Sequence, residues 1–238
     1  MTGLAGAGKT ECGFVVASQA LIKGWDVLIC DAGFTWRHWL QRRPAARGVS
    51  GEYGEYPHDA RASLHVAAQE LTRRLAWLEG RGEASPETLR GLGVAPMLIV
   101  VDERLRVTAA TRCAGLEDAR AAAQAIEDLR NLLHHGPSVD MHLWITDNLP
   151  DTLHQDFGAA ENDIGVRIAI GMDNNLSIAR RLTFPKVGHD TPLDVYDSQE
   201  RVVRGRALVQ DGLTSTPVPT QLTWLGPNLE DLDAPGRP

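Results

Sequence analysis

Lysine is nearly absent from this chain. Of 24 basic residues only Lys9, Lys23 and Lys186 are lysines, and the rest are arginines. Where arginine is the default cation, a lysine kept at one position points to a chemical requirement, so Lys9 stands out. Cysteine is as sparse: Cys12, Cys30 and Cys113 are scattered without metal-ligand spacing. That argues against a disulfide framework and fits a reducing compartment. No run approaches the roughly 18 apolar residues of a membrane span, and no stretch reads as a signal peptide. The expected location is therefore cytoplasmic, with membrane association only through sequence upstream. Positive charge is also in deficit, with a net charge of −7. A protein that grips nucleic acid across its whole surface is usually basic, so any DNA contact here must be local, such as loops lining a pore. The histidines are dispersed apart from adjacent His134 and His135, and they form no metal constellation.

What is present is an alternation of helices and strands. Thr10 to Ile22 has helical spacing and Gly24 stops it. Trp25 to Gly33 is a continuous apolar run ending in Asp31, the pattern of a buried parallel strand. Residues 34–58 have no steady period and read as an irregular insertion, with a short helix around Trp36 to Gln41. Asp59 to Glu79 predicts a helix with Leu64, Ala67, Ala68, Leu71, Leu75 and Leu78 on one stripe, Asp59 as its cap, and Arg61, Glu70, Arg73 and Arg74 largely off the stripe. Met97 to Glu103 is a second buried strand, and residues 104–114 follow no pattern. Leu116 to His134 predicts another helix, with Ala119, Ala122, Ile126, Leu129 and Leu133 inward. Met141 to Thr146 and Val166 to Gly171 read as further strands, and 205–210 with 219–224 as a terminal pair. Residues 1–225 are expected to form one domain and 226–238 a loose tail. The alternation predicts an α/β fold, a mostly parallel sheet with helices on both faces. Ligands of such sheets sit at the carboxyl ends of the strands.

The chemistry-bearing residues fall at those ends. Gly3, Gly8, Lys9 and Thr10 match G-x-x-x-x-G-K-[ST] at every specified position. Glycines let successive N–H groups converge on phosphate oxygens, and the following helix adds its positive end. Lys9 then reaches the β- and γ-phosphates of ATP, and the Thr10 hydroxyl coordinates Mg²⁺. The residues expected around the nucleotide are Gly3, Gly6, Ala7, Gly8, Lys9, Thr10 and Glu11. In MLIVVDE, Asp102 and Glu103 close an apolar strand. Asp102 is the candidate for holding Mg²⁺ through water, and Glu103 for deprotonating the attacking water. In ITDN, Ile145 to Asn148, polar groups would lie beside the acids and sense the γ-phosphate or hold the water. Arg167 enters an apolar strand, either as a finger reaching a neighbouring subunit's nucleotide or as half of a structural ion pair. Arg180 and Arg181 rival it for the first role.

Taken in order, these segments resemble the motor domain of the FtsK/SpoIIIE family, within the FtsK–HerA group of ring-forming ATPases. The resemblance runs from Gly3 to about Gln210. It is carried by GLAGAGKT, WDVLICDAG, the long helix ASLHVAAQELTRRLAWLEGRG, MLIVVDE, AIEDLRNLLHHGPSVDMHLWITDN, GVRIAIGMDNNLSIAR and GRALVQDG. It implies a RecA-like three-layer P-loop fold and a hexameric homo-oligomer. The implied activity is ATP-driven movement of double-stranded DNA through a pore, in plasmid or mobile-element transfer or in segregation. One branch of the resemblance implies protein export of the type VII kind instead. A third reading is a degenerate subunit that binds nucleotide without turnover. Two departures bear on the site. Arg104 stands where an apolar or aromatic residue is usual, and Thr146-Asp147 replaces Thr-Gln, which passes the sensor role to Asn148. With only Met1 and Thr2 ahead of the loop, its supporting first strand is expected to be missing.

Overall fold

The apolar runs assemble into a parallel sheet. In the computed structural model, β2 (Asp26–Asp31), β3 (Arg47–Ser50), β4 (Met97–Asp102) and β5 (Met141–Ile145) lie in the order β3-β2-β4-β5. Every neighbouring pair is parallel. The structure describes residues 1–3, 6–33, 35–50, 56–82, 85–108, 116–148, 156–171, 183–184, 199, 203, 205–212 and 215–222. Asp31 pairs in register with Asp102, so β2 and β4 end at one level and their acids emerge together.

Strand residues alternate between two faces, and each face has its own helices. Val27, Ile29, Leu98 and Val100 pack under α1 (Lys9–Ile22), with Ala17, Ala20, Trp36 and Trp39. Leu28, Cys30, Ile99 and Val101 point the other way, toward α3 (Tyr56–Glu79) and α6 (Leu116–His135). The predicted inward residues Leu64, Ala67, Leu71 and Leu78 of α3 are buried. On α6 the buried face is Ala122, Ala125, Asp128, Leu129, Leu132 and Leu133, slightly rotated from the expected stripe, with Ile126 only half-buried.

Several local expectations are corrected. α3 begins at Tyr56, so Asp59 lies inside its first turn and does not cap it. Arg61 and Arg74 were expected off the stripe but are 5% and 2% exposed. Both stay buried because their guanidinium groups satisfy carbonyls of neighbouring segments. Arg61 donates to the Val107 carbonyl at 2.7 Å, and Arg74 to those of Val139 and Ala95 at 3.1 and 3.0 Å. The insertion at 34–58 is not irregular throughout. It contains α2 (Arg37–Gln41), at the expected place, and β3, which extends the sheet edge. The loop before β4 carries α4 (Pro86–Gly91), whose Ser85 hydroxyl accepts the Glu87 N–H at 3.2 Å. The unpatterned stretch after Glu103 opens with α5 (Arg104–Thr108).

A second sheet contains β1 (Thr2–Gly3), β6 (Val166–Ile170), β7 (Arg206–Asp211) and β8 (Val218–Gln221), in that order. It is mixed: β1 runs parallel to β6, whereas β6–β7 and β7–β8 are antiparallel. The first strand, expected to be missing, is therefore present as two residues. Its backbone is held on both sides. Thr2 and Gly3 pair with Ala169 and Ile170. Toward β5, the Gly3 N–H donates to the Asp147 carbonyl at 3.2 Å and the Asp147 N–H to that of Met1 at 2.9 Å. This short seam joins the two sheets. An apolar groove of about 530 Å³, lined by Met141, Leu143, Ile145, Val166 and Ile168, runs alongside it. The expected tail at 226–238 lies outside the described residues. Among the described residues no helix is long and apolar enough to cross a membrane.

Candidate nucleotide-binding site

The seam delivers Gly3 to the carboxyl end of the parallel sheet, beside β5 and one strand from the acids of β4. A side chain at Gly3 would place its Cβ 2.3 Å from the Ile170 carbonyl oxygen, so only glycine lets β1 approach β6 here. The loop then turns through left-handed backbone at Gly6 (φ 77°) and Gly8 (φ 105°). Leu4 and Ala5 lie outside the described residues. Gly8 is the N-cap of α1 and supplies no side chain. The first-turn N–H groups of a helix have no intrahelical acceptor, and together with the helix dipole they favour an anion. Ala7 is buried against the sheet, and Glu11 lies in the first turn.

Lys9 is 7% exposed and its ammonium donates to the Gly3 carbonyl at 2.8 Å, across the mouth of the loop. Burial pushes its pKa down, while Asp102, Glu103, Asp147 and Glu11 oppose the shift. The cation is thus surrounded by carboxylates and pinned over the loop, where a phosphate would meet it.

Asp102 is buried and ringed by donors. Its Oδ2 accepts the Thr10 hydroxyl at 3.1 Å and the Trp36 indole N–H at 2.9 Å. Its Oδ1 accepts the Thr146 hydroxyl. The Thr146 hydroxyl in turn accepts the Glu103 N–H at 3.0 Å, so one side chain at the end of β5 ties both acids to that strand. Glu103 has φ 52°, a left-handed conformation unusual for a non-glycine residue. That turn directs the chain out of β4, and the Glu103 carboxylate pairs with Arg106. Asp31 completes the floor. Its carboxylate accepts the N–H groups of Gly33 at 2.7 Å and Trp36 at 3.0 Å.

A hydroxyl and a carboxylate in contact at the mouth of an anion-binding loop suit Mg²⁺. That ion takes one or two protein oxygens and completes its shell with water and substrate phosphate.

The two departures from the family pattern meet in space. Arg104 is fully buried. Its Nε donates to Asp147 at 2.8 Å, and its guanidinium also pairs with Asp156 and lies over Phe157. Burial pushes the Asp147 carboxyl up, and Arg104 opposes the shift. Asp147 is therefore turned into the protein and countered, while Asn148 beyond it is exposed. Arg167 is 4% exposed and its guanidinium is held by the Glu161 carboxylate at 3.1 Å and the Glu161 carbonyl at 2.6 Å. Within the single chain it makes an ion pair, one of its two alternatives. Arg180 and Arg181 lie outside the described residues.

Lys9, Thr10, Asp102, Glu103 and Thr146 are thus brought together, and Arg167 stands apart from them. The sequence reading missed Trp36. An indole N–H aimed at an acid 66 positions away leaves no local signal beyond a tryptophan shortly after the β2 aspartate.

Solved structures carry the same architecture. The conjugation coupling protein TcpA of pCW3, in a monomer form with ATPγS, superposes with a TM-score of 0.74 at 18% identity, over 92% of this chain and 58% of TcpA. The chain shares the fold of that structure. ATPases 2 and 3 of EssC from Geobacillus thermodenitrificans match with a TM-score of 0.67 at 15% identity, over 94% of this chain and 38% of theirs. EccC ATPases 2 and 3 of Thermomonospora curvata, in complex with a signal sequence peptide, match at 0.57 and 18%, over 89% and 36%. The chain thus spans little more than half of TcpA and about a third of the others. No protein-family model and no curated protein matches the sequence. The P-loop ATPase neighbours agree with the FtsK/SpoIIIE resemblance drawn from the motifs.

Proposed function

We propose that this P-loop chain is an ATP-hydrolysing motor of the FtsK/SpoIIIE type, RecA-like in its core. It would work in a ring, with pore loops and not the whole surface contacting the double-stranded DNA it translocates. The observation that carries this reading is the convergence of Lys9, Thr10, Asp102, Glu103 and Thr146 at one sheet end.

In this reading the loop amides and the first turn of α1 hold the phosphates. Lys9 leaves the Gly3 carbonyl to meet the β- and γ-phosphate oxygens. Bound Mg²⁺ supplies neutralisation of phosphate charge, with Thr10 and Asp102 as the residues that hold it. Glu103 releases Arg106, orients the attacking water and accepts its proton. Asn148 is assigned to the γ-phosphate, because the Asp147 carboxylate is occupied by Arg104. A trans role for an arginine falls to Arg167, after release from Glu161, or to Arg180 or Arg181. A protein substrate is the second reading, favoured by the net charge of −7 and by the likeness to EssC and EccC.

ATP turnover measured with double-stranded DNA, with a secreted peptide and with neither tests the choice. DNA stimulation that Lys9→Ala abolishes, together with nucleotide binding, is expected. Stimulation by peptide alone moves the chain to the second reading. Nucleotide binding without turnover in any arm makes it a degenerate subunit.

A further inference from the structure

Trp36 is fully buried at the floor of the candidate site. Three independent features hold it there. The Asp31 carboxylate accepts its backbone N–H at 3.0 Å. Phe14 of α1 meets its ring edge-on, with centroids 4.6 Å apart, and Trp39 does so at 5.2 Å. Trp39 in turn donates its own indole N–H to Ser18 of α1 at 3.2 Å. Space is also made for the ring. A Cβ at Gly13 would lie 2.8 Å from Cζ2 of Trp36. Gly13 lies inside α1, where glycine costs about 0.5–1 kcal/mol relative to alanine. The helix therefore carries a destabilising residue at the one point where the indole passes.

All of this orients a single N–H, which reaches Oδ2 of Asp102 at 2.9 Å. The same oxygen accepts the Thr10 hydroxyl. Hydrogen bonds from outside a metal's ligand set fix the orientation of the ligands, and losing one typically costs about 10–100-fold in metal affinity. We propose that Trp36 is a positioning residue for the Mg²⁺ site: its indole N–H fixes the Asp102 carboxylate against Thr10, so that the nucleotide is held tightly only with the divalent ion. This inference rests on the assignment of Thr10 and Asp102 to Mg²⁺. It extends that assignment to a segment outside the phosphate loop and the acid strand.

The test is calorimetric binding of ATPγS to the intact chain, in Mg²⁺ and in EDTA, for wild type, Trp36→Phe and Gly13→Ala. Phenylalanine keeps an aromatic ring and removes the donor; the alanine methyl displaces the indole without touching Asp102. Both variants are expected to lose about tenfold in affinity in Mg²⁺ and to match wild type in EDTA. If Trp36→Phe does not fold, Gly13→Ala carries the test alone. Wild-type affinity in Mg²⁺ for a folded variant overturns the inference, and so does an equal loss in both buffers, which marks a structural role only. A wild type that binds equally well in Mg²⁺ and in EDTA removes the Mg²⁺ assignment itself, and this inference with it.

Discussion

The carboxyl end of the parallel sheet and the seam beside it are neighbours built on opposite principles. At the sheet end, β2 and β4 run six residues in register, and the donors that reach Asp102 are the neutral groups of Thr10, Trp36 and Thr146, while backbone N–H groups reach Asp31. At the seam, two residues of β1 join the sheets, and the polar element is a buried ion cluster of Arg104, Asp147 and Asp156. Neutral donors orient a carboxylate without cancelling its charge, which suits a site for a cation. A buried guanidinium cancels charge, which suits a place where a carboxylate near phosphate would be harmful. In the proposed function the first region serves the chemistry, and the second keeps the loop's foundation closed.

Breaking the seam is expected to have the larger effect on stability. Arg104→Met leaves two carboxylates without their buried partner, which costs about 3–5 kcal/mol and lowers the urea midpoint accordingly. Adding Asp147→Asn recovers part of the loss. An unchanged midpoint for Arg104→Met would remove the ion cluster from its structural role.

Breaking the sheet end acts on function more than on fold. Thr146→Val removes the donor to Asp102 and the acceptor of the Glu103 N–H. About 1–3 kcal/mol of stability is expected to go, while ATP turnover falls about tenfold or more. Equal turnover at saturating Mg²⁺-ATP would separate Thr146 from the acids it touches.

The smallest effect lies away from both regions. Asp140 is held below the usual carboxylate range by its hydrogen bond to Arg90, and Glu70 by hydrogen bonds to Arg73 and Arg74. A carboxyl group with a depressed folded pKa contributes stability that is present above its unfolded pKa and lost as pH falls through the folded one. Stability is therefore expected to decline below about pH 4, and Asp140→Asn should flatten that decline. A variant with the wild-type acid limb would contradict it.

The sequence made one of these regions far more legible than the other. Lys9 and Thr10 stand in a motif of fixed spacing at the start of α1, and Asp102 and Glu103 close an apolar run, so both pairs can be read without the fold. The seam could not be read that way. Arg104 and Asp147 stood out as separate departures, 43 positions apart, and only the pairing of β4 with β5 makes them complementary. β1 was hidden because two residues show no period, and its pairing depends on distant backbone. Arg61 and Arg74 look like solvent-facing residues until the carbonyls they satisfy are known. Trp36 was obscured by an insertion whose composition has no regular pattern, though it contains α2 and β3. Ser85-Pro86 is a readable helix start before α4.

The account's central claim is that Glu103 is the general base of a working ATP site. It is tested most directly by Glu103→Gln, with ATP binding and hydrolysis measured on the same preparation. The account predicts that Mg²⁺-ATP still binds and that hydrolysis falls about 10²–10⁴-fold, trapping ATP on the protein. Hydrolysis at the wild-type rate would contradict it.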